Sequence, residues 1–341
     1  MNPRTLSTWI DRILKRTAGY EFSSFVLGFA RPDHYVREHH DAEFRQLKIA
    51  VGEELTRIWT DVEVDFERPE LRIDFDAKDN IRLQAAPLYL GGRYRKLSRD
   101  IPAARWIHHR CRGNGCPSCR HSGNLCGPSI QELLAAPVLA HVRGSGTLFH
   151  SLGREDTDAL MLDSGRPFVL EISSPRRRTL PVSELTRAVA ASSLAEVIAL
   201  RRVDWNAAQA VKAAAADKTY RAWLAVDGEL PDDLEQRVQS LNGTLIHQLT
   251  PTRVMHRRGR DRLRKKRLYD SSWLGQINGR YVWELTVESG TYVKELVSGD
   301  DGRTRPSLSD LLGAPCRCQA LDVLEIHWQP PWESTPCASS T

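Results

Sequence analysis

The chain has 341 residues, of which 41% are hydrophobic and 27% are charged, and its formal net charge at pH 7 is +5. This balance is typical of a globular protein with room for two domains, and it excludes a largely disordered chain. No run of the ~18 apolar residues needed to span a bilayer occurs. The polar residues 1–15 lack the apolar core of a secretion signal. We therefore expect a cytoplasmic protein.

Residues 1–85 predict a small N-terminal α/β domain. Apolar residues recur at helical spacing over residues 41–59, which predicts an amphipathic helix. Residues 62–66 and 71–75 then alternate between apolar and charged side chains, as half-buried strands do. A further strand is expected to include Ile81 and Leu83.

Residues 86–329 predict a larger α+β domain with a mixed or antiparallel sheet, because several strand-like segments are separated by turns alone. Helical spacing is clearest over residues 182–200 and 231–241. The strand candidates span residues 167–172, 220–226, 243–249, 281–287 and 321–328. Residues 330–341 are rich in Pro and Ser and are expected to form a flexible tail.

Four of the seven cysteines crowd into the glycine-rich residues 106–127. Three of them and a histidine are spaced as H-x2-C-x4-C-x2-C, at His108, Cys111, Cys116 and Cys119. This donor set suits a closed tetrahedral Zn²⁺ site, and Gly113 and Gly115 allow tight folding around an ion. We predict a structural zinc loop. His109 and Cys126 are alternative fourth ligands, and free thiols in a loop are the competing interpretation.

Acidic and basic residues alternate in Arg154-Glu155-Asp156-Thr157-Asp158, within a glycine-bounded segment ahead of an apolar strand. An arginine two residues from an aspartate can keep that carboxylate ionised and orient it. A polar turn with surface ion pairs is the competing interpretation. Spacing does not separate Asp156 from Asp158, since both would point the same way on an extended backbone.

Basic residues form two clusters. Nine Lys and Arg residues lie between Arg253 and Arg267 against one acid, Asp261, and the other cluster is the triplet at residues 176–178. A solvated face is one interpretation of each cluster. Two clusters in one half of a chain favour a polyanionic partner, because phosphate contacts release counterions.

Seven segments in this order resemble the tRNA pseudouridine-54/55 synthases of archaea and eukaryotes, a divergent family of pseudouridine synthases. The likeness covers about residues 20–327, nearly the whole chain. The segments are GRYRK (92–96), CRGNGC (111–116), GREDTD (153–158), GRPFVLE (165–171), KTYRA (218–222), QLTPTRV (248–254) and GTYVKE (290–295).

The resemblance implies a pseudouridine synthase catalytic domain that acts, without an organic cofactor, on uridine-54, uridine-55 or both in the TΨC arm of tRNA. It makes Asp156 the catalytic aspartate of an Arg-x-Asp pattern and Arg154 its ion-pair partner. It makes Tyr220 the tyrosine that stacks on the base and can transfer a proton, although a packed core tyrosine is the alternative. The resemblance implies the substrate-binding residues Tyr220, Val293, Lys294 and Leu321, and the basic residues predicted to bind the substrate are Arg95, Arg253, Arg257 and Arg258.

Two departures from the family pattern are visible. His108 stands where the family usually has a cysteine, and no cysteine precedes Cys111, although the family's N-terminal region usually carries a Cys-x2-Cys element. We therefore expect a shortened N-terminal domain that only loosely resembles the family's RNA-binding THUMP-containing region.

Two other functions remain as alternatives to the enzyme. One is a non-catalytic, zinc-containing tRNA-binding protein or RNA chaperone. The other is a protein-chaperone zinc module, although such modules repeat the cysteine motif and it occurs once here. The sequence indicates neither a membrane partner nor an obligate protein partner.

Overall fold

The computed structural model describes residues 3–30, 40–76, 80–258 and 260–333. The chain divides into two compact units, the first formed by residues up to 90 together with 135–148 and 170–185, and the second by residues 91–134, 149–169 and those from 186 onward. The predicted α+β class is confirmed, because helices accompany sheets with both parallel and antiparallel pairs. Within the described ranges, no helix has both the length and the apolar character needed to cross a membrane.

The described residues from 3 to 85, all in the first unit, form two helices and a four-stranded sheet. In chain order these are α1 (Pro3–Thr17), β1 (Ser24–Ala30), α2 (His40–Ile58), β2 (Glu63–Val64), β3 (Leu71–Asp76) and β4 (Ile81–Ala85). The strand order is β2-β1-β3-β4, in which β1 is parallel to β2 and β3, and β4 is antiparallel to β3. Ile13 of α1 and Leu55 of α2 share one fully buried cluster with Phe25 and Ile73 of the sheet.

Seven helices and ten strands follow in the described residues from 88 onward. They are β5 (Leu88–Lys96), α3 (Ile130–Val142), β6 (Gly146–Ser151), β7 (Ala159–Ser173), α4 (Val182–Ala190), β8 (Ala195–Val203), α5 (Trp205–Ala213), β9 (Asp217–Val226), α6 (Leu234–Gln239), β10 (Leu245–Gln248), α7 (Met255–Arg258), β11 (Arg264–Ile277), β12 (Arg280–Val287), α8 (Val293–Ser298), β13 (Thr304–Arg305), α9 (Leu308–Leu312) and β14 (Cys316–His327). The chain also forms short 3-10 helices at Pro117–Cys119, Thr252–Val254 and Pro331–Glu333.

These strands form one mixed sheet in the order β13-β10-β11-β12-β9-β14-β7-β5-β8, and β6 pairs with β7. Three adjacent strands bring distant segments together at its centre. Strand β14 pairs in parallel with β7 and antiparallel with β9, so Leu321 lies opposite both Ala159 and Ala222. Tyr220 of β9 lies opposite Val323 of β14 in the same register. A buried cluster that includes helix α8 supports this part of the sheet.

The observed elements differ from the predicted ones where local pattern is weak. The predicted helix over residues 182–200 is wrong in its second half, because a turn separates α4 from strand β8. Ser192 donates its hydroxyl to the Val189 carbonyl at 2.8 Å, and Ser193 has φ +57°, so the helix ends there. Of the predicted tail, residues 331–333 form a 3-10 turn with Trp332 buried, and residues 334–341 lie outside the described residues.

Candidate active site and metal site

The acidic loop, residues 152–158, connects β6 to β7 and is anchored by a buried ion pair. Arg166 of β7 donates its Nε to the Glu155 carboxylate at 2.7 Å and its Nη1 to the Leu152 carbonyl at 2.6 Å. The Tyr94 hydroxyl donates to the same carboxylate at 3.1 Å. The Arg166 and Glu155 side chains are 2% and 0% exposed, so solvent does not screen this pair. The pair fixes one side of the loop.

Lys96 of β5 holds the other side of the acidic loop through the main chain. Its buried ammonium donates to the carbonyl oxygens of Thr157 at 2.6 Å and Ala159 at 2.5 Å, and to that of Asp156 at 3.3 Å. Burial lowers the pKa of Lys96 to about 8, although the carboxylates of Glu155 and Asp158 oppose this effect. A single cation therefore fixes the backbone at the position of the candidate catalytic aspartate.

The carboxylates of Asp156 and Asp158 share one cation, Lys294 of α8. The Lys294 ammonium lies 3.4 Å from Asp156 and 2.9 Å from Asp158, and Arg253 lies 3.8 Å from Asp156. Burial raises the pKa of Asp158, but the hydrogen bond and charge of Lys294, a backbone hydrogen bond and the charge of Lys96 together outweigh burial and lower the pKa overall. Arg154, which the resemblance makes the ion-pair partner of Asp156, forms no ion pair in the described part of the chain. Lys294 and Arg253 occupy that role instead.

A cavity of about 510 Å³, here called the main cavity, opens beside Asp156. Its lining includes Tyr220, Val293, Lys294 and Leu321, so strands β9 and β14 and helix α8 bring together residues that are distant in sequence. No hydrogen-bond partner of the Tyr220 hydroxyl is found among the described residues. Burial raises the pKa of Tyr220, and Arg166 opposes this rise. The hydroxyl therefore stays protonated and can donate to or accept from a bound molecule.

Of the four predicted substrate-binding arginines, the structure places one away from the main cavity and one at it, and it does not describe the side chains of the other two. Arg95 alternates with the inward-facing Lys96 on β5 and contacts the Asp163 carbonyl at 2.8 Å and the Glu196 carboxylate at 3.3 Å. The side chains of Arg257 and Arg258 lie outside the described residues. Of the predicted arginines, Arg253 does line the cavity, and Glu295 accepts from its Nε at 2.6 Å.

The four predicted metal ligands come together in the second unit. His108 Nδ1 lies 3.5 Å from Cys111 Sγ and 3.6 Å from Cys116 Sγ, and Cys119 Sγ lies 3.9 and 3.7 Å from those two sulfurs. Ligands at zinc distances on a tetrahedron are separated by about 3.5–3.8 Å, so this set has the dimensions of a tetrahedral site. The group can hold a metal ion. The alternatives His109 and Cys126 are not part of it.

Backbone groups support the same cluster. The N–H groups of Cys116 and Gly123 donate to Cys119 Sγ at 3.2 and 3.3 Å. Burial raises the pKa of the Cys119 thiol, but these hydrogen bonds outweigh it and lower the pKa to about 7. Gly123 has φ +71°, and a Cβ there would clash with the Gly113 carbonyl oxygen. The loop thus favours a thiolate at Cys119 and requires glycine at its tightest point.

Comparison with known proteins identifies the family. Residues 89–327 match the family model described as Pus10, C-terminal. The chain is 39% identical over 321 residues to the tRNA pseudouridine synthase Pus10 of Methanothermobacter marburgensis, covering 90% of this chain and 79% of that protein. It is 35% identical to the Pus10 of Halorubrum lacusprofundi, covering 94% and 80% of the two chains. The chain belongs to the Pus10 family of tRNA pseudouridine synthases.

Membership of the Pus10 family confirms the resemblance found in the sequence and the expectation of an isomerase. Among solved structures, the chain is similar to that of a Cbf5–Nop10–Gar1 complex, with 19% identity and a TM-score of 0.36 over 59% of this chain and 46% of that one.

Sequence reasoning missed three groups that shape this Pus10 site. They are the buried pair of Glu155 and Arg166, the loop-holding Lys96, and Lys218, which lines the main cavity. Burial and the neighbouring Arg166 together lower the pKa of Lys218 to about 8. Each lies in one of the segments that carried the resemblance. The hydrogen bonds between Arg166 and Glu155 and from Lys96 to the loop, however, join residues 11 to 63 positions apart, which no local pattern reveals.

Proposed function

We propose that this protein isomerises uridine to pseudouridine at position 54, position 55 or both in the TΨC arm of tRNA, with Asp156 as the catalytic carboxylate. One observation carries the proposal: Asp156, Tyr220 and Lys294 line a single cavity of about 510 Å³. That volume lies within the range of ligand pockets and admits an extruded nucleotide. The names of the Pus10 relatives support tRNA as the substrate.

The reaction breaks the bond between C1′ and N1 of uridine, turns the base, and joins C5 to C1′. The proton lost from C5 is balanced by the proton gained at N1, so nothing is oxidised or reduced. Positive charge develops on the sugar when the glycosidic bond breaks, and a carboxylate next to C1′ stabilises that charge. Asp156 is 55% exposed and faces the main cavity, so its carboxylate is open to the sugar of a nucleotide bound there.

The cations around Asp156 hold its carboxylate in position before the sugar arrives. Lys294 and Arg253 contact it at 3.4 and 3.8 Å, and each is itself held by another acid, Asp158 or Glu295. Because the cations are tethered, they orient Asp156 without closing the cavity. Tyr220 offers an aromatic face and a hydroxyl to the base, and Val293 and Leu321 supply apolar contacts.

We further propose that the ion held by His108, Cys111, Cys116 and Cys119 is a structural Zn²⁺, since four protein ligands leave no open position for chemistry. Residues 1–85 would act as the THUMP-like accessory domain and residues 86–329 as the catalytic domain. Phosphates would be bound by basic side chains that include Arg253, Arg257 and Arg258. As a tRNA-modifying enzyme, the protein would act in the cytoplasm.

The test is incubation of purified protein with unmodified tRNA transcript, followed by carbodiimide treatment and primer extension. Wild type and Asp158→Asn are expected to produce new stops at TΨC-loop uridines, and Asp156→Asn is expected to produce none. Asp158 is the matched control, because it lies on the same loop, is similarly exposed and contacts the same lysine. Loss of stops in Asp158→Asn alone would transfer the catalytic role to Asp158. Tight tRNA binding without stops in any protein would favour an RNA-binding protein that lacks activity.

A further inference from the structure

A second, smaller cavity shares a wall with the main cavity. Its volume is about 330 Å³, and it is called here the side cavity. Arg154, Glu155, Asp156 and Arg253 line both cavities. The candidate catalytic carboxylate of Asp156 therefore borders two cavities, and the reacting uridine occupies only one of them.

Apart from Thr157, the rest of the side cavity is apolar and aromatic. It is lined by the buried Pro102, Ala103 and Ala104 and by Trp106, which is 49% exposed. In the described part of the chain, the Trp106 ring stacks on no other aromatic ring and its indole N–H has no hydrogen-bond partner. A large aromatic side chain left open in this way, beside two arginines, is the arrangement that single-stranded nucleic acid uses for stacking.

Trp106 is also held in place before any ligand arrives. Its carbonyl accepts from Leu125 N at 2.8 Å, and the adjacent Ile107 pairs with Asn124 as an isolated β-bridge. Arg105, on its other side, donates to the Asn124 side chain at 2.7 Å. These contacts fix the main chain on both sides of Trp106, so the indole projects from a preorganised backbone.

We propose that the side cavity binds the nucleotide next to the target uridine, with its base stacked on Trp106. The phosphate that joins the two nucleotides then lies over the shared wall, within reach of Arg154 and Arg253. Arg154 has no ion-pair partner among the described residues, so its guanidinium is available for that phosphate. This inference rests on the proposed function, because the main cavity must hold the target uridine.

The consequence for the substrate is that two consecutive nucleotides leave their stack. One enters the main cavity to react, and its neighbour is held beside it. Because the RNA strand has one polarity, the side cavity holds the neighbour on the same side, 5′ or 3′, whichever uridine reacts. Trp106 is then a specificity-determining residue, because it contacts substrate but not the reacting atoms.

The test is a double-mutant cycle that combines protein variants with modified RNAs. TΨC stem-loop RNA is prepared intact and with an abasic nucleotide immediately 5′ or 3′ of the target uridine. Each RNA is combined with wild type, Trp106→Ala, Trp106→Phe and Trp205→Ala. Trp205 is the matched control, since it is 44% exposed and lines neither cavity. Dissociation constants and kcat/KM for pseudouridine formation are measured for each pair.

Loss of one stacked base weakens binding by on the order of tenfold. We expect that loss for Trp106→Ala on intact RNA, near-normal binding for Trp106→Phe, and no change for Trp205→Ala. One of the two abasic RNAs should bind wild type equally weakly and lose nothing further with Trp106→Ala. Equal behaviour of Trp106→Ala and Trp205→Ala, or additive losses with both abasic RNAs, would overturn the inference. If wild type forms no pseudouridine, the proposed function fails, while the binding cycle still decides the role of Trp106.

Discussion

At the scale of single residues, the buried pair of Arg166 and Glu155 determines how firmly the acidic loop is held. The two charges are removed from water and satisfied only by each other, the Tyr94 hydroxyl and the Leu152 carbonyl. Such a pair contributes little over an apolar replacement, but loss of one partner leaves an uncompensated buried charge. Replacing only one residue of the pair is therefore expected to lower the free energy of unfolding.

Arg166→Met is expected to lower the free energy of unfolding by about 3 kcal/mol or more. The double variant Glu155→Gln/Arg166→Met should recover part of that loss, since no charge then remains unpaired. The comparison is Arg221→Met, which breaks an ion pair whose side chains are 33% and 26% exposed and should cost about 1 kcal/mol or less. Urea unfolding measures all three. Equal losses for Arg166→Met and Arg221→Met would contradict the importance of burial.

Lys96 makes activity and stability respond to pH in opposite directions. Its pKa of about 8 in the folded protein lies below its ordinary value of 10.5, so the unfolded chain binds more protons between these values. Stability contributed by this group therefore rises as pH increases from about 8 to about 10.5, and is constant below pH 8. Activity should fall over the same window, because a neutral amine has too few protons for three carbonyls.

The pH dependence of kcat tests this expectation, with a descending limb near pH 8 in wild type. Lys218 also has a pKa of about 8 and lines the main cavity, so it must be separated from Lys96. Lys218→Met should keep the descending limb if Lys96 is responsible. A limb that disappears in Lys218→Met would assign the titration to Lys218.

At the scale of elements, the loop over residues 106–127 depends on side-chain ligands, because the described part of it has only one short 3-10 helix and one β-bridge. Cys116→Ser should abolish stoichiometric Zn²⁺ binding and lower the melting temperature. Cys126→Ser should do neither, since Cys126 lies outside the ligand group. Elemental analysis and thermal unfolding of the two variants measure the difference. Normal zinc content in Cys116→Ser would mean that another side chain replaces it.

Helices and strands were predictable from the sequence where the periodicity of apolar residues matches which side chains are buried. The alternation in residues 71–75 gives β3, and the helical spacing near residue 50 gives α2. Strand β1 was missed because its sequence SFVLGFA is almost continuously apolar and has no alternation. Strand β11 was missed because most of its residues are exposed on both faces. Strand β8 was read as helix, because only a turn at Ser192 and Ser193 separates it from α4.

The residues of the candidate site were predictable only in part. Motifs located Asp156, Tyr220 and Lys294, and the metal spacing located its four ligands. Strand alternation predicts that Arg95 and Lys96 lie on opposite faces of β5, but it does not show which of them faces the acidic loop. Trp106 could not be found because its role depends on a cavity formed with the acidic loop, about 50 positions away.

At the scale of the whole molecule, binding of tRNA should depend strongly on salt. Arg262, Lys265 and Arg267 are exposed and form no ion pair within the described residues. If about three phosphates are contacted, affinity should fall on the order of twentyfold between about 50 and 200 mM salt. Alanine at these three positions should flatten the dependence. Arg237→Ala and Arg317→Ala should not, since Asp233 and Asp227 already neutralise these charges. Filter binding at several salt concentrations measures the slopes.

The hydrogen bonds from Lys96 to the acidic loop do not restrict which side chains the loop can carry. All three of its acceptors are main-chain oxygens, so the grip does not depend on which side chains the loop carries. Thr157 shows this freedom, because its buried hydroxyl has no hydrogen-bond partner among the residues that the structure describes, and valine would fill the same space. Because Lys96 holds the loop through its backbone, side chains of the loop that contact RNA can be substituted, in evolution or by design, without loss of these three hydrogen bonds.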